Sequence, residues 1–428
     1  MTLEYIDASP TKEFFIDMLV RDIDLDRSIL DLIDNSVDAW VDGGRKKESW
    51  VRIEFNDVEF KISDNCGGMD FELAKTYAFR FGRPKEREAT PNSVGQFGVG
   101  MKRTLFKLGK SFEIVSRKND LCFKVNVNVD NWKSSNDWNF EIEKIDKNKI
   151  SEGHTTIIVR DIFPNVKQMF ELSEFSNKLD NDCSKAYFTS LNKELDIIIN
   201  EKKVVRHKIE LMKSEKILPA FKKFSSNGVS IKVYSGIGKR SLKQGGWYVI
   251  CNGRLVLAAE QSEITGWRDG QIPQYHPDYA YFRGVVEFES EDSSLLPWTT
   301  TKTGVDKNNK AYLAALFEMK KQMLNVILFL KDRVKEEKQI KLYQIEETQI
   351  ADAINQSDFV EYSTLVLNDR FIAPERIIHK PVSKVTKVQY TVANDRLELA
   401  KKSLKVDTAT SVGLMTFDYY MSYEVDDE

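Results

Sequence analysis

Asp31, Asn35 and Asp38 stand at i, i+4 and i+7 in the segment Ser28-Ile29-Leu30-Asp31-Leu32-Ile33-Asp34-Asn35-Ser36-Val37-Asp38-Ala39. On a helix that spacing gathers three oxygen-bearing side chains on one face. Leu30, Ile33 and Val37 repeat on another face, which would pack into a core. An amide and two carboxylates held together suit a magnesium ion and an attacking water. The same pattern also describes a helix with a solvated face and a buried back, so the segments that follow carry the decision.

Residues 58–63 read as a strand that delivers Asp64 to its end, ahead of the turn Asn65-Cys66-Gly67-Gly68-Met69-Asp70. A buried carboxylate there can accept a hydrogen bond from an exocyclic amine such as that of adenine, and the glycines let backbone approach a flat ring. Taken alone, such a string is more commonly an Asx-type turn after a strand. Next comes Val94-Gly95-Gln96-Phe97-Gly98-Val99-Gly100-Met101-Lys102-Arg103, a glycine-spaced loop opening a helix. Backbone N–H groups and the helix dipole would cradle phosphates at such a terminus. It is neither a Rossmann fingerprint nor a Walker A loop. The fourth segment, Gly153-His154-Thr155-Thr156-Ile157-Ile158-Val159, reads as a β-branched strand with hydroxyls near its start.

In this order the four segments resemble the GHKL (Bergerat-fold) ATPases, a family that includes the gyrase B subunit, heat-shock-90 chaperones, MutL-type repair proteins, histidine kinases and MORC proteins. The likeness covers roughly residues 10–165. It implies an α+β protein whose ATPase domain is a Bergerat-type α/β sandwich binding ATP and Mg²⁺. Asn35 would hold the metal, with Asp38 beside it. Asp64 would contact the adenine amine, with Gly68 and Met69 against the ring and Thr155 in support. Gly95, Gln96, Phe97, Gly98, Val99, Gly100 and Lys102 would face the phosphates, and residues 80–94 would form a lid. Asp31 would align or deprotonate water.

Three positions depart from the family pattern. Hydrolysing members usually carry glutamate where this chain has Asp31, and losing one methylene draws the carboxylate back by roughly a bond length or more. A general base must reach its proton within about 2.6–3.2 Å, directly or through one water, so slow hydrolysis is expected. Cys66 replaces a glycine, which is tolerable at negative φ. His154 stands where a glycine commonly precedes the threonine.

Beyond residue 165 the pattern changes to a helix-like stretch near 167–195, a hairpin signal at 195–205, strands at 229–234, 246–258 and 281–289, and a long helix at 311–337. Strands followed by a helix indicate an α+β domain. Leu295-Leu296-Pro297-Trp298-Thr299-Thr300-Thr301-Lys302-Thr303-Gly304 resembles the transducer-domain loop of clamp-forming GHKL proteins, in which Lys302 would reach the γ-phosphate. The Gly246–Asp306 stretch looks closest to bacterial relatives of the MORC and heat-shock-90 branches. The expected organisation is therefore an ATP-binding domain at 1–165, a transducer domain at 166–337, a linker at 338–386 and a small module at 387–428. In that last module a strand at 387–392 and two helices resemble a ribbon–helix–helix unit for dimerisation or partner binding.

The resemblance implies an ATP-gated dimeric clamp. The alternatives are a non-hydrolysing switch that binds a protein client, or a DNA-capturing clamp without strand cleavage. A net charge of −3 offers no global attraction to nucleic acid. Four dispersed cysteines without CxxC spacing, no run of 18 apolar residues and an N-terminus without signal-peptide character point to a cytoplasmic protein with no membrane partner.

Overall fold

The computed structural model describes residues 10–81, 94, 99–341, 345, 348–365, 368–377, 386 and 388–425. Met1–Glu337 with Thr348–Ile377 makes one compact unit, and Lys338–Glu347 with Ile378–Glu428 makes another.

The first unit holds two large sheets. Strands β1 (Ser49–Phe55), β2 (Phe60–Asp64), β3 (Gly109–Lys118), β4 (Leu121–Asn128), β5 (Ile142–Lys144), β6 (Thr155–Ile162), β7 (Leu195–Ile199) and β8 (Lys202–Lys203) form one sheet in the order β5-β4-β3-β6-β2-β1-β7-β8. Its pairs are antiparallel except β1 with β7. A parallel pair needs a crossover, here the helices Pro164–Glu171, Ser173–Ala186 and Phe188–Asn192. The sheet and its core thus run past residue 165 to Val204, and the helix-like stretch after 165 serves the first sheet.

Helix Leu25–Asp42 supplies Ile29, Leu30, Ile33, Val37 and Trp40 to that core, as its apolar spacing required. It is also buried on its polar side, where Asp31, Asp34 and Ser36 are enclosed.

The second sheet joins β10 (Ala220–Ser226), β11 (Val229–Ile237), β12 (Gly246–Cys251), β13 (Arg254–Glu260) and β14 (Phe282–Glu289) in the order β10-β11-β14-β12-β13. The run 246–258, expected as one strand, is a hairpin instead. Asn252 (φ 47°) and Gly253 (φ 79°) turn it, the dipeptide that favours two-residue hairpin turns. Helix Lys310–Lys341 covers this sheet with Tyr312, Ala315, Met319, Met323, Val326, Ile327 and Leu330, all fully buried. The molecule is thus an α/β-sandwich domain followed by further α+β structure.

The expected linker differs from the structure. Helix Gln349–Asn355 docks through the Glu336 carboxylate, which accepts from the Ile350 and Ala351 N–H groups. Strand β15 (Asp358–Glu361) pairs with β9 (Glu210–Lys213), and Ile372 bridges Leu218. The linker reading failed because its pairing partners lie more than a hundred residues earlier, beyond any local pattern.

In the other unit, helices Asn394–Leu404 and Ala409–Glu424 are joined through Lys405, which adopts a left-handed conformation, and Thr408 caps the second helix. The expected strand at 387–392 is not seen among the described residues there, so the strand needed for a ribbon–helix–helix unit is missing from them. Among the described residues no helix is long and apolar enough to cross a membrane.

Candidate nucleotide site

One cavity of about 760 Å³ is lined by Asp31, Asn35, Asp38, Asp64, Gly68, Met69, Val99, Gly100, Lys102, Thr155 and Lys302. These are the expected site residues, drawn from four segments of the first sheet's domain and one loop after the second sheet. Gly95, Gln96, Phe97 and Gly98, and most of the expected lid, lie outside the described residues.

Asp64 ends β2, is buried and lines the cavity. Its Oδ2 accepts from the Ser36 hydroxyl at 2.8 Å and its Oδ1 from the Cys66 N–H at 3.0 Å. Burial pushes its pKa up to about 6, against the opposing pull of those two donors. Beyond it the chain turns through Gly67 (φ 130°) and Gly68 (φ 70°). A Cβ on Gly68 would lie 2.0 Å from the Arg117 carbonyl oxygen, so only glycine fits. The Met69 N–H then donates to Ser116 Oγ at 2.7 Å. Thr155 faces Asp64 across the β2–β6 pair, but its hydroxyl lies 2.9 Å from Ser116 Oγ. The hydroxyl partner of Thr155 is therefore Ser116, which also accepts the Met69 N–H. His154 also lines the cavity, with Nδ1 3.0 Å from the Glu152 carbonyl oxygen.

The N-terminus of helix Gly100–Leu108 also lines the cavity, tied to the Asn35 helix by the Thr104 hydroxyl, which donates to the Ser28 carbonyl at 2.5 Å. Gly100 packs closely on Asp31: a Cβ there would sit 3.1 Å from Asp31 Cβ, so Asp31 would have to give by a few tenths of an ångström. Asp31 is not open to water on all sides. Its Oδ2 takes the Arg103 guanidinium at 2.5 Å, and its Oδ1 lies 3.7 Å from Lys302 Nζ. Lys102, expected to face phosphates, instead donates to the carbonyls of Ala78 (2.9 Å) and Arg80 (2.6 Å). Burial lowers its pKa to about 8. Asp38 accepts from the Val94 N–H at 2.6 Å.

Asn35 is exposed to the cavity, and its side chain has no hydrogen-bond partner among the described residues. A free amide oxygen is a hard donor suited to Mg²⁺. Among the described residues no group of three His, Cys, Asp or Glu side chains could hold an ion. A magnesium ion here would thus draw its remaining ligands from phosphate and water, as that ion commonly does.

The loop after the second sheet lines the site with Thr300 and Lys302, and Arg254 of β13 packs behind it. Trp298 bridges Val305 and closes the loop on which Lys302 sits at φ 54°. Lys302 Nζ lies 2.6 Å from Asp34 Oδ2, and Arg254 Nε, at the start of β13, lies 2.9 Å from Asp34 Oδ1. Burial alone would raise the Asp34 pKa, but Lys302 and then Arg254 outweigh it and hold the carboxyl below its ordinary value. Sequence reasoning placed Arg103 near the phosphates but missed Asp34, Ser36, Ser116, Tyr187 and Arg254. Asp34 and Ser36 flank Asn35 inside a segment it had read. Nothing local marks Arg254 or Tyr187, whose shared partner lies about 150 to 220 residues away.

Residues 23–156 match the family model for histidine kinase-, DNA gyrase B- and HSP90-like ATPases. They form a GHKL-type ATPase domain. The matched span starts ahead of the Asn35 helix and ends at Thr156, just past the strand start that carries Thr155. The GHKL domain has a fold consistent with ATP binding. No curated protein matches the chain.

Proposed function

We propose that the protein binds Mg·ATP, hydrolyses it slowly, and uses the bound state to close a homodimeric clamp. The observation that carries this reading is the cavity itself. It is lined together by Asp64, the glycine turn, a helix N-terminus and Lys302. Its volume suits a ligand of nucleotide size.

In this reading Asp64 accepts the exocyclic amine of adenine. The N–H groups opening helix Gly100–Leu108 and the Lys302 ammonium face the phosphates. Asn35 holds magnesium, which when bound spreads the negative charge of the phosphate oxygens. Asp31 orients the water that attacks the γ-phosphorus and takes its proton as the bond to the ADP oxygen breaks. Positioning and charge supply most of the catalysis in such a transfer. The second sheet and its long helix act as the transducer, because they carry Lys302. Closeness to the MORC and heat-shock-90 branches rests on the Gly246–Asp306 stretch. Four buried cysteines, none in a disulfide, suit a cytoplasmic setting.

A second reading, a nucleotide-gated switch without turnover, is favoured by the Asp31–Arg103 ion pair. A carboxylate paired with a guanidinium is a weaker base, which disfavours taking a proton from water while that pair persists. Steady-state ATP turnover per subunit across a range of protein concentrations, with calorimetric ATP binding alongside, tests both. Turnover that rises with concentration supports the clamp. Bound ATP without turnover moves the function to the switch, and no ATP binding overturns both.

A further inference from the structure

Asp34 is about 1% exposed, yet it gathers three donors from three distant segments. Tyr187, between two crossover helices, brings its hydroxyl to within 2.7 Å of Oδ1. Arg254 approaches the same oxygen at 2.9 Å and stacks its guanidinium 4.7 Å from the centre of the Tyr187 ring. With Oδ1 held on two sides the carboxylate plane is fixed, and Oδ2 is left to a single partner, Lys302, at 2.6 Å. The Tyr187 hydroxyl also lies 2.7 Å from the Leu30 carbonyl oxygen, on the same helix as Asp34.

The charges around Lys302 do not cancel. Arg103, Lys302 and Arg254 face only Asp31 and Asp34 within this cluster. An ammonium has three N–H donors. One goes to Asp34, a second lies toward Asp31, and among the described residues no acceptor takes the third, while Lys302 lines the cavity. A surplus cation at the mouth of a closed cluster calls for an anion.

We propose that Asp34 is the positioning residue for Lys302: Tyr187 and Arg254 orient its carboxylate so that Lys302 meets the terminal phosphate of the nucleotide. Because Lys302 and Arg254 belong to the second sheet and its loops, the same carboxylate couples the presence of that phosphate to the placement of the second sheet. The inference rests on the ATP-binding reading and adds to it the residue through which a γ-phosphate is distinguished from its absence. Asp34 does not touch the nucleotide, so its effect must appear as discrimination and not as overall affinity.

The test compares wild type, Asp34→Asn and Tyr187→Phe for affinity to ADP and to a non-hydrolysable ATP analogue, for kcat and KM, and for thermal unfolding. Asp34→Asn is expected to bind ADP as wild type does, to lose the preference for the analogue over ADP with KM for ATP rising in step, and to lose about a hundredfold in kcat, the scale of a displacement near 1 Å. Tyr187→Phe, which keeps the ring beneath Arg254, is expected to reduce the same preference about threefold. If Asp34→Asn fails to fold, the Tyr187→Phe ratio decides alone: a reduced preference supports the assignment and an unchanged one overturns it. Equal weakening of both nucleotides, the signature of a purely structural role, also overturns it. Wild-type protein that binds neither nucleotide overturns the ATP reading itself, whereas wild-type binding with unaltered variants overturns only the role of Asp34.

Discussion

Replacing Ser36 by alanine should change how nucleotide binding depends on pH, by an amount set by one hydrogen bond. The Ser36 hydroxyl donates to Asp64 Oδ2 at 2.8 Å, and both side chains are buried. With a raised folded-state pKa near 6 against an ordinary 3.8, ionising Asp64 costs the folded state. That cost is absent below about 3.8 and complete above about 6, so stability falls as pH rises through this window. A hydrogen bond to a charged group contributes about 1.5–3 kcal/mol, and each pKa unit is about 1.4 kcal/mol. Losing the Ser36 donor should therefore move the Asp64 midpoint upward by about one to two pH units. The ionised carboxylate is the stronger acceptor for an exocyclic amine. Wild-type affinity for an adenine nucleotide should fall as pH drops through about 6, approaching tenfold per pH unit at most. In Ser36→Ala the same fall should begin about one to two units higher. Fluorescent-nucleotide titrations from about pH 5 to pH 9 would show it. A midpoint that stays at the wild-type value refutes the reasoning, because the hydroxyl would then not be stabilising the charge on Asp64.

Two further outcomes follow from the same geometry. Asp31→Asn should bind ATP but lose turnover, while Asp31→Glu should keep or raise it; wild-type turnover in Asp31→Asn would remove Asp31 from the chemistry. Gly68→Ala should destabilise the fold by more than about 2 kcal/mol, since a Cβ would meet the Arg117 carbonyl oxygen at 2.0 Å on a backbone with φ of 70°. Thermal unfolding measures this, and an unchanged midpoint would contradict the close approach.

Local spacing, read together with the resemblance to the GHKL ATPases, picked out several of the residues that line the cavity. Asp31, Asn35 and Asp38 share a helix face because 3.6 residues make a turn, and Asp64 sits where a strand meets a glycine turn. Gly100 opens a helix, and each of these side chains lines the cavity. The Asn252-Gly253 turn was equally legible in the residues but was read through as one strand, since β-branched residues on both sides masked it. What local pattern does not carry is pairing across distance. Strand β7 joins the first sheet parallel to β1 from about 150 residues away, and β15 returns to β9, so both domain limits moved.

The same division runs through the site. By itself the sequence determined which chemical groups stand at the ends of its elements, because helix and strand periods are local properties of the backbone. Only the tertiary structure decided what those groups touch. It turned Lys102 toward two carbonyls, paired Asp31 with Arg103, and left Asn35 open. It also enclosed Asp34 among Tyr187, Arg254 and Lys302. A buried carboxylate must find its partners wherever the packed chain brings them, and no spacing along the chain encodes which ones those will be.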